Sequence, residues 1–186
     1  MEALRASPPC MAPRTVAKTA PEAVPAFSLG AVMSMTGWSE RTVWRRLSAG
    51  SILRADQPSS GSRVMVSWHS VEPHVRLTLD RDNRALLGRA DAGDIESQND
   101  IALVFMEHGM PVGAAYWLQQ AARGGHADAM HWLGRCYLGG EGLAQDRNMG
   151  LMWLARSACA GHLISDALLG ALCQPFPRMP APVRLP

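Results

Sequence analysis

The feature that most constrains this chain is a spacing. Trp117 and Trp153 stand 36 residues apart, and so do Ala122 and Ala158, Gly125 and Gly161, and His126 and His162. A unit recurring at a fixed period of this size marks a helical solenoid, because one hairpin cannot bury its apolar face without neighbours. The unit is clearest in residues 125–161, GHADAMHWLGRCYLGGEGLAQDRNMGLMWLARSACAG. Ala127, Met130, Leu133, Cys136 and Tyr137 recur at spacings that gather side chains on one helical face. Gly139, Gly140 and Gly142 break that helix, and Asp146 is placed to cap the next. The second helix is expected to carry Leu151, Leu154, Ala155 and Ala158 on its inner stripe and to stop at Gly161.

The pattern continues on both sides. Gly93, Ile101 and Phe105 stand in the relation of Gly125, Leu133 and Tyr137, and Gly161, Leu169 and Gly170 repeat Gly125, Leu133 and Gly134. Ala129, Leu133-Gly134, Tyr137, Gly140-Glu141-Gly142, Asp146, Trp153 and the ending from Ala158 to Gly161 resemble the Sel1-like repeats, relatives of tetratricopeptide repeats. The resemblance spans roughly residues 91–173 and implies an α-solenoid of about 2.5 repeats that binds a protein partner. The first repeat departs from the pattern. Only 12 residues separate Phe105 from Trp117, against 16 from Tyr137 to Trp153, so the Gly-Glu-Gly turn is missing. Met110-Pro111 replaces the Asp cap, with Pro111 suited to a first helical turn. The third repeat keeps one helix and is expected to close the stack.

The N-terminal half has a different character. Residues 1–26 hold five prolines among Ala, Ser and Thr and read as a disordered leader. Beyond them, Ser28 can cap a short helix bearing Leu29, Val32 and Met35. Thr36-Gly37 makes a turn, and Ser39 caps ERTVWRRLSAG, a second helix ending at Gly50. Val43 and Leu47 would face the core with Trp38, while Arg41 and Arg45 would share the outward face. Ser59-Ser60-Gly61 reads as a turn, Arg63-Val64-Met65-Val66 as a strand, and Ser67 or Ser70 as the start of a helix running through Val71 and Val75.

Gly37-Trp38-Ser39-Glu40-Arg41-Thr42-Val43, Arg45 and Gly50-Ser51-Ile52 resemble the winged helix-turn-helix of the MerR and excisionase class. That resemblance covers residues 27–80 and implies DNA binding. It sets Arg41, Thr42 and Arg45 in the major groove, with Arg46 and the wing's Arg63 on phosphate. Arginine suits both tasks, since its guanidinium bonds a guanine edge or a phosphate in a bidentate way. Trp44 stands where MerR-type proteins usually place a second DNA-facing arginine.

Charge follows the same division. Residues 27–80 hold six arginines against four acids, and residues 81–173 hold seven against ten. A basic front and an acidic back suggest different partners for the two halves. Residues 76–89 read as a connector packed on the first repeat through Leu77, Leu79, Leu86 and Leu87, and residues 174–186, with five prolines, cannot continue the helices. No apolar run approaches the length of a membrane span, and the N-terminus lacks a secretory h-region. Four cysteines do not make a disulfide framework, so a cytoplasmic, bacterial-type protein is expected.

An enzyme is not expected. The glycines at 139, 140 and 142 lack the Lys-Ser/Thr of a phosphate-binding loop, and no nucleophile elbow is present. His126, His131 and Cys136 are five residues apart in turn, which points their side chains away from one another, so neither a metal nor another cofactor is implied. His126 and His162, each just after a repeat-ending glycine, suggest a structural role at the inter-repeat turn. Trp132, next to Leu133, is expected to point outward as a partner contact. The leading expectation is a DNA-binding transcriptional regulator whose solenoid recruits a protein. The alternative is a protein–protein adaptor without nucleic-acid binding. A homodimer would have to form through the solenoid or the wing, since no heptad segment is present.

Overall fold

The computed structural model describes residues 25–55 and 63–172. Residues 1–24 of the leader, the turn expected at Ser59-Ser60-Gly61 and the proline-rich tail lie outside these residues, while Ala26, placed in the leader by composition, begins the first strand. The described chain runs β1 (Ala26–Ser28), α1 (Leu29–Thr36), α2 (Glu40–Ser48), β2 (Met65–Ser67), α3 (Trp68–Val71), a 3-10 turn (Glu72–His74) and α4 (Arg81–Asp91). The solenoid follows as α5 (Ile95–Glu107), α6 (Pro111–Arg123), α7 (Ala127–Gly139), α8 (Arg147–Cys159) and α9 (Leu163–Leu172).

Local chemistry sets most of these boundaries. Ser28 and Ser39 cap α1 and α2 by accepting from the amides of Ala31 and Thr42. Asp80 and Asp94 do the same for α4 and α5. Hydrogen bonds from the Ser97 hydroxyl and amide hold the Asp94 carboxyl below its usual range. Pro111 opens α6, where its missing N–H has no intrahelical partner to lose. Asp146 caps α8 with bonds of 2.9 and 3.0 Å from the amides of Asn148 and Met149. Asp146→Ala should cost about 1 kcal/mol in a urea melt. A melt unchanged by the substitution would assign the start of α8 to packing alone.

Three features depart from the sequence reading. The strand expected at residues 63–66 forms at Met65–Ser67 and pairs antiparallel with β1, Phe27 opposite Val66, while Arg54 bridges the other edge of Val66. Its named strand partner thus precedes α1 in the chain. The helix expected to run through Val75 stops at Val71, because Pro73 cannot donate to a helical carbonyl and its ring crowds the turn before it. In α8 the buried side is Gly150, Trp153, Leu154 and Ser157, whereas Ala155 is exposed and Leu151 and Ala158 are half-buried. The glycines decide this rotation. A Cβ on Gly134 of α7 would lie 3.0 Å from the Gly150 carbonyl, so the two helices meet backbone to backbone.

The core is continuous from Phe27 in β1 to Trp153 in α8. Hydrogen bonds tie β1 and α1 to α4 and to the solenoid. The Ser28 amide donates to Asp91 of α4 at 2.7 Å, and the Trp117 indole of α6 donates to the Ser34 hydroxyl of α1 at 3.0 Å. Gly113 lets α6 approach α1 closely, since a Cβ there would stand 2.7 Å from the Ser34 carbonyl. The elements expected to form two units therefore share one core. Among the described residues no helix is long and apolar enough to cross a membrane.

Candidate interaction surfaces

Helix α2 packs on the N-terminal half with Val43 as its only buried residue. Leu47 and Trp38 are half-buried against the core, as the spacing predicts for that side of the helix. Arg41 and Arg45 are exposed one turn apart, and neither has a hydrogen-bond or ion-pair partner among the described residues. The other expected contacts are committed elsewhere. Thr42 sits in the helix cap, its hydroxyl 3.0 Å from that of Ser39. Arg46 lies over the Trp38 ring at 4.1 Å, with its Nε buried and unpartnered. Arg63 reaches back to donate to the Asp91 carbonyl at 3.3 Å. Arg54, which sequence spacing did not single out, places its guanidinium 5.8 Å from the Trp44 ring and extends the cationic surface beside α2. Only the bridge between Arg54 and Val66 brings it there, so no local pattern could have found it.

On the solenoid, Trp132 is half-buried against the core, not fully outward. The Arg135 guanidinium stands 4.8 Å from its ring, and His131 meets it edge-on at 5.7 Å. The larger exposed apolar side chains belong to other positions, with Val112 and Ile164 each 66% exposed and Leu163 82%. Among the described residues no group of three or more His, Cys, Asp or Glu is placed to hold a metal ion. Burial raises the Cys136 thiol to about 11, with Glu141 adding to the effect, so it is protonated and unreactive at neutral pH.

The inter-repeat turns are built from histidine. The Nδ1 of His126 accepts from the Ala129 amide at 3.2 Å and caps α7, while its Nε2 meets Glu96 of α5 at 3.0 Å. His162 repeats this arrangement. Its Nδ1 accepts from the Ser165 amide at 3.1 Å, and its Nε2 meets Asp128 of α7 at 3.2 Å. Each imidazole ties a new helix to the first turn of the preceding first helix.

The family model for the Sel1 repeat matches residues 96–126 and 127–162, which are α5–α6 and α7–α8 with their following turns. A Sel1 repeat protein from Oxalobacter formigenes, known from its crystal structure, is 31% identical over 50% of this chain and 72% of its own, with a TM-score of 0.45. Residues 96–162 of the chain are thus two Sel1 repeats. No curated protein matches it. Sel1 repeats form a helical scaffold for protein–protein interaction, and α9 continues the Sel1 stack beyond the second matched repeat. The helix-turn-helix resemblance of residues 27–80 has no counterpart in these comparisons.

Proposed function

We propose that this Sel1-repeat protein is an adaptor that holds nucleic acid with α2 and a protein partner with its solenoid, and so acts as a DNA-binding regulator. The observation that carries the reading is the condition of Arg41 and Arg45. They are exposed, unpaired and one turn apart on a helix that buries a single residue. Structural arginines tend to be paired, as Arg63 is; two left free on a capped helix suit phosphate or a guanine edge. Arg54 adds a third cation, while Arg46 and Thr42 orient the helix through Trp38 and Ser39. The protein partner is assigned to the solenoid, with Trp132 as a contact through its open face. A homodimer, a bacterial source and a cytoplasmic location belong to the same reading.

The test is fluorescence anisotropy of the full chain on genomic DNA fragments across a salt series. The log–log slope of affinity against salt should be steep and should flatten by roughly 2 in Arg41→Ala/Arg45→Ala, since each phosphate contact contributes about 0.9. Equal, weak binding by both proteins would discard the nucleic-acid role. A second reading would then take precedence, with α2 as a protein contact. Leu53, 59% exposed next to Arg54, favours that outcome.

A further inference from the structure

The last joint of the solenoid differs chemically from the one before it. Where α7 meets the α5–α6 pair, the positions equivalent to His131, Ser157 and Ser165 are Asn99, Ala121 and Ala129, all buried. Where α9 meets α7–α8, those positions carry a connected polar network. The His131 Nδ1 lies 2.8 Å from the Ser165 hydroxyl, Ser165 donates to Ser157 at 2.8 Å, and Ser157 donates to the Ala127 carbonyl at 2.7 Å. The His131 and His162 rings stack at 4.5 Å.

The hydrogen-bond pattern points to one tautomer for each histidine. The Ser157 hydroxyl donates to the Ala127 carbonyl, and the Ser165 hydroxyl faces both Ser157 and, at 3.0 Å, the His162 Nδ1, so a hydrogen on the His131 Nδ1 completes the chain. The His162 Nδ1 must be bare, because it accepts the Ser165 amide, and its hydrogen sits on Nε2 facing Asp128. A proton added to His131 puts a charge in a site that is 5% exposed and face to face with the second imidazole.

We propose that this joint is an acid-sensitive latch, which holds α9 on the solenoid while His131 is neutral and releases it when His131 is protonated. The charged and titratable groups acting on His131 are His162, Arg135 and Asp128. Burial, then His162 and Arg135, lowers its pKa, and only Asp128 opposes them. With the docked state favouring the neutral ring, docking has full strength above the ordinary imidazole value of about 6.5 and weakens as pH falls below it. Release of α9 withdraws Leu163 and Ile164 from the end of the stack, so the latch would gate whatever binds there. The latch is independent of what α2 binds.

Hydrogen exchange read by mass spectrometry on the full chain tests it, comparing α9 with α7 after correction for intrinsic rates. Between pH of about 7.5 and about 5.5, α9 should lose about tenfold in protection, as one proton taken up on release requires, while α7 changes little. In His131→Asn/His162→Asn, where Asn supplies the same donor and cap without titrating, α9 should be flat across this range. Wild-type α9 that is flat, or a variant that falls as steeply, overturns the latch. If the variant's α9 exchanges freely at both pH values, nitrogen-15 NMR of the wild type decides. Hydrogen on the His131 Nδ1 and the His162 Nε2 at the higher pH supports the latch, and either opposite tautomer overturns it.

Discussion

Gly142→Ala should lower stability by about 3 kcal/mol, an unusual loss for the addition of one methyl group at a turn. Two costs combine. Gly142 has a φ of +73°, where an L side chain costs about 1–2 kcal/mol. A Cβ there would also stand 2.1 Å from the Pro111 carbonyl oxygen and 2.4 Å from its carbon, a clash with backbone that no rotamer can relieve. Overpacking of that kind adds about 1–3 kcal/mol. Gly140 supplies the control. Its φ is +75°, yet the nearest atom to an added Cβ is the Gln145 Cβ at 3.3 Å, so Gly140→Ala should cost only the conformational share. Urea titration of both variants separates the terms. Equal losses would mean that the turn does not press on α6 as described. The contact gives a reason for the Gly-Glu-Gly turn of the repeat, since it seats the second repeat's turn on the first residue of α6.

Trp117→Ala should cost about 4 kcal/mol, at the upper end for a buried aromatic. Trp117 is 1% exposed, and its indole is the donor that binds α6 to Ser34 of α1. Truncation would leave a cavity in the shared core and an unmet acceptor at the seam. Because that core runs from β1 into α8, the loss should be felt in both halves together. Wild type and variant should each unfold in a single transition, with tryptophan fluorescence and far-ultraviolet circular dichroism coinciding. Two separated transitions would show that the N-terminal elements and the solenoid are thermodynamically independent, against the continuous packing. Trp117→Phe, which keeps much of the bulk and loses the donor, should cost less, about 1–2 kcal/mol.

Much of the candidate site was legible because its signals are local. Caps at Ser28, Ser39 and Asp146 follow from one side chain and the amides two or three residues on. Arg41 and Arg45 share a face because helical periodicity requires it. What Arg46 and Arg63 touch was not legible. Arg46 turns to Trp38 and Arg63 to the end of α4, and neither neighbour is implied by spacing along the chain. Trp132 was read as outward from its place beside Leu133, yet its own helix supplies Arg135 and His131 to cover it.

By itself the sequence determined the repeat and its period, read from matching residues 36 positions apart, and the placing of its turns, written in residues a few positions apart. Tertiary structure decided the rest. It rotated α8 so that Gly150 faces Gly134, because close helix approach outweighs a stripe of Leu and Ala that can be drawn on either side. Pairing β1 with β2 linked residues almost forty apart, for which the chain carries no local signal. Bringing Ser157 and Ser165 to His131 made a network of side chains that are individually unremarkable. Hydrogen bonds and contacts between distant segments form only once the chain has closed on itself, and that closure is what a one-dimensional pattern does not contain.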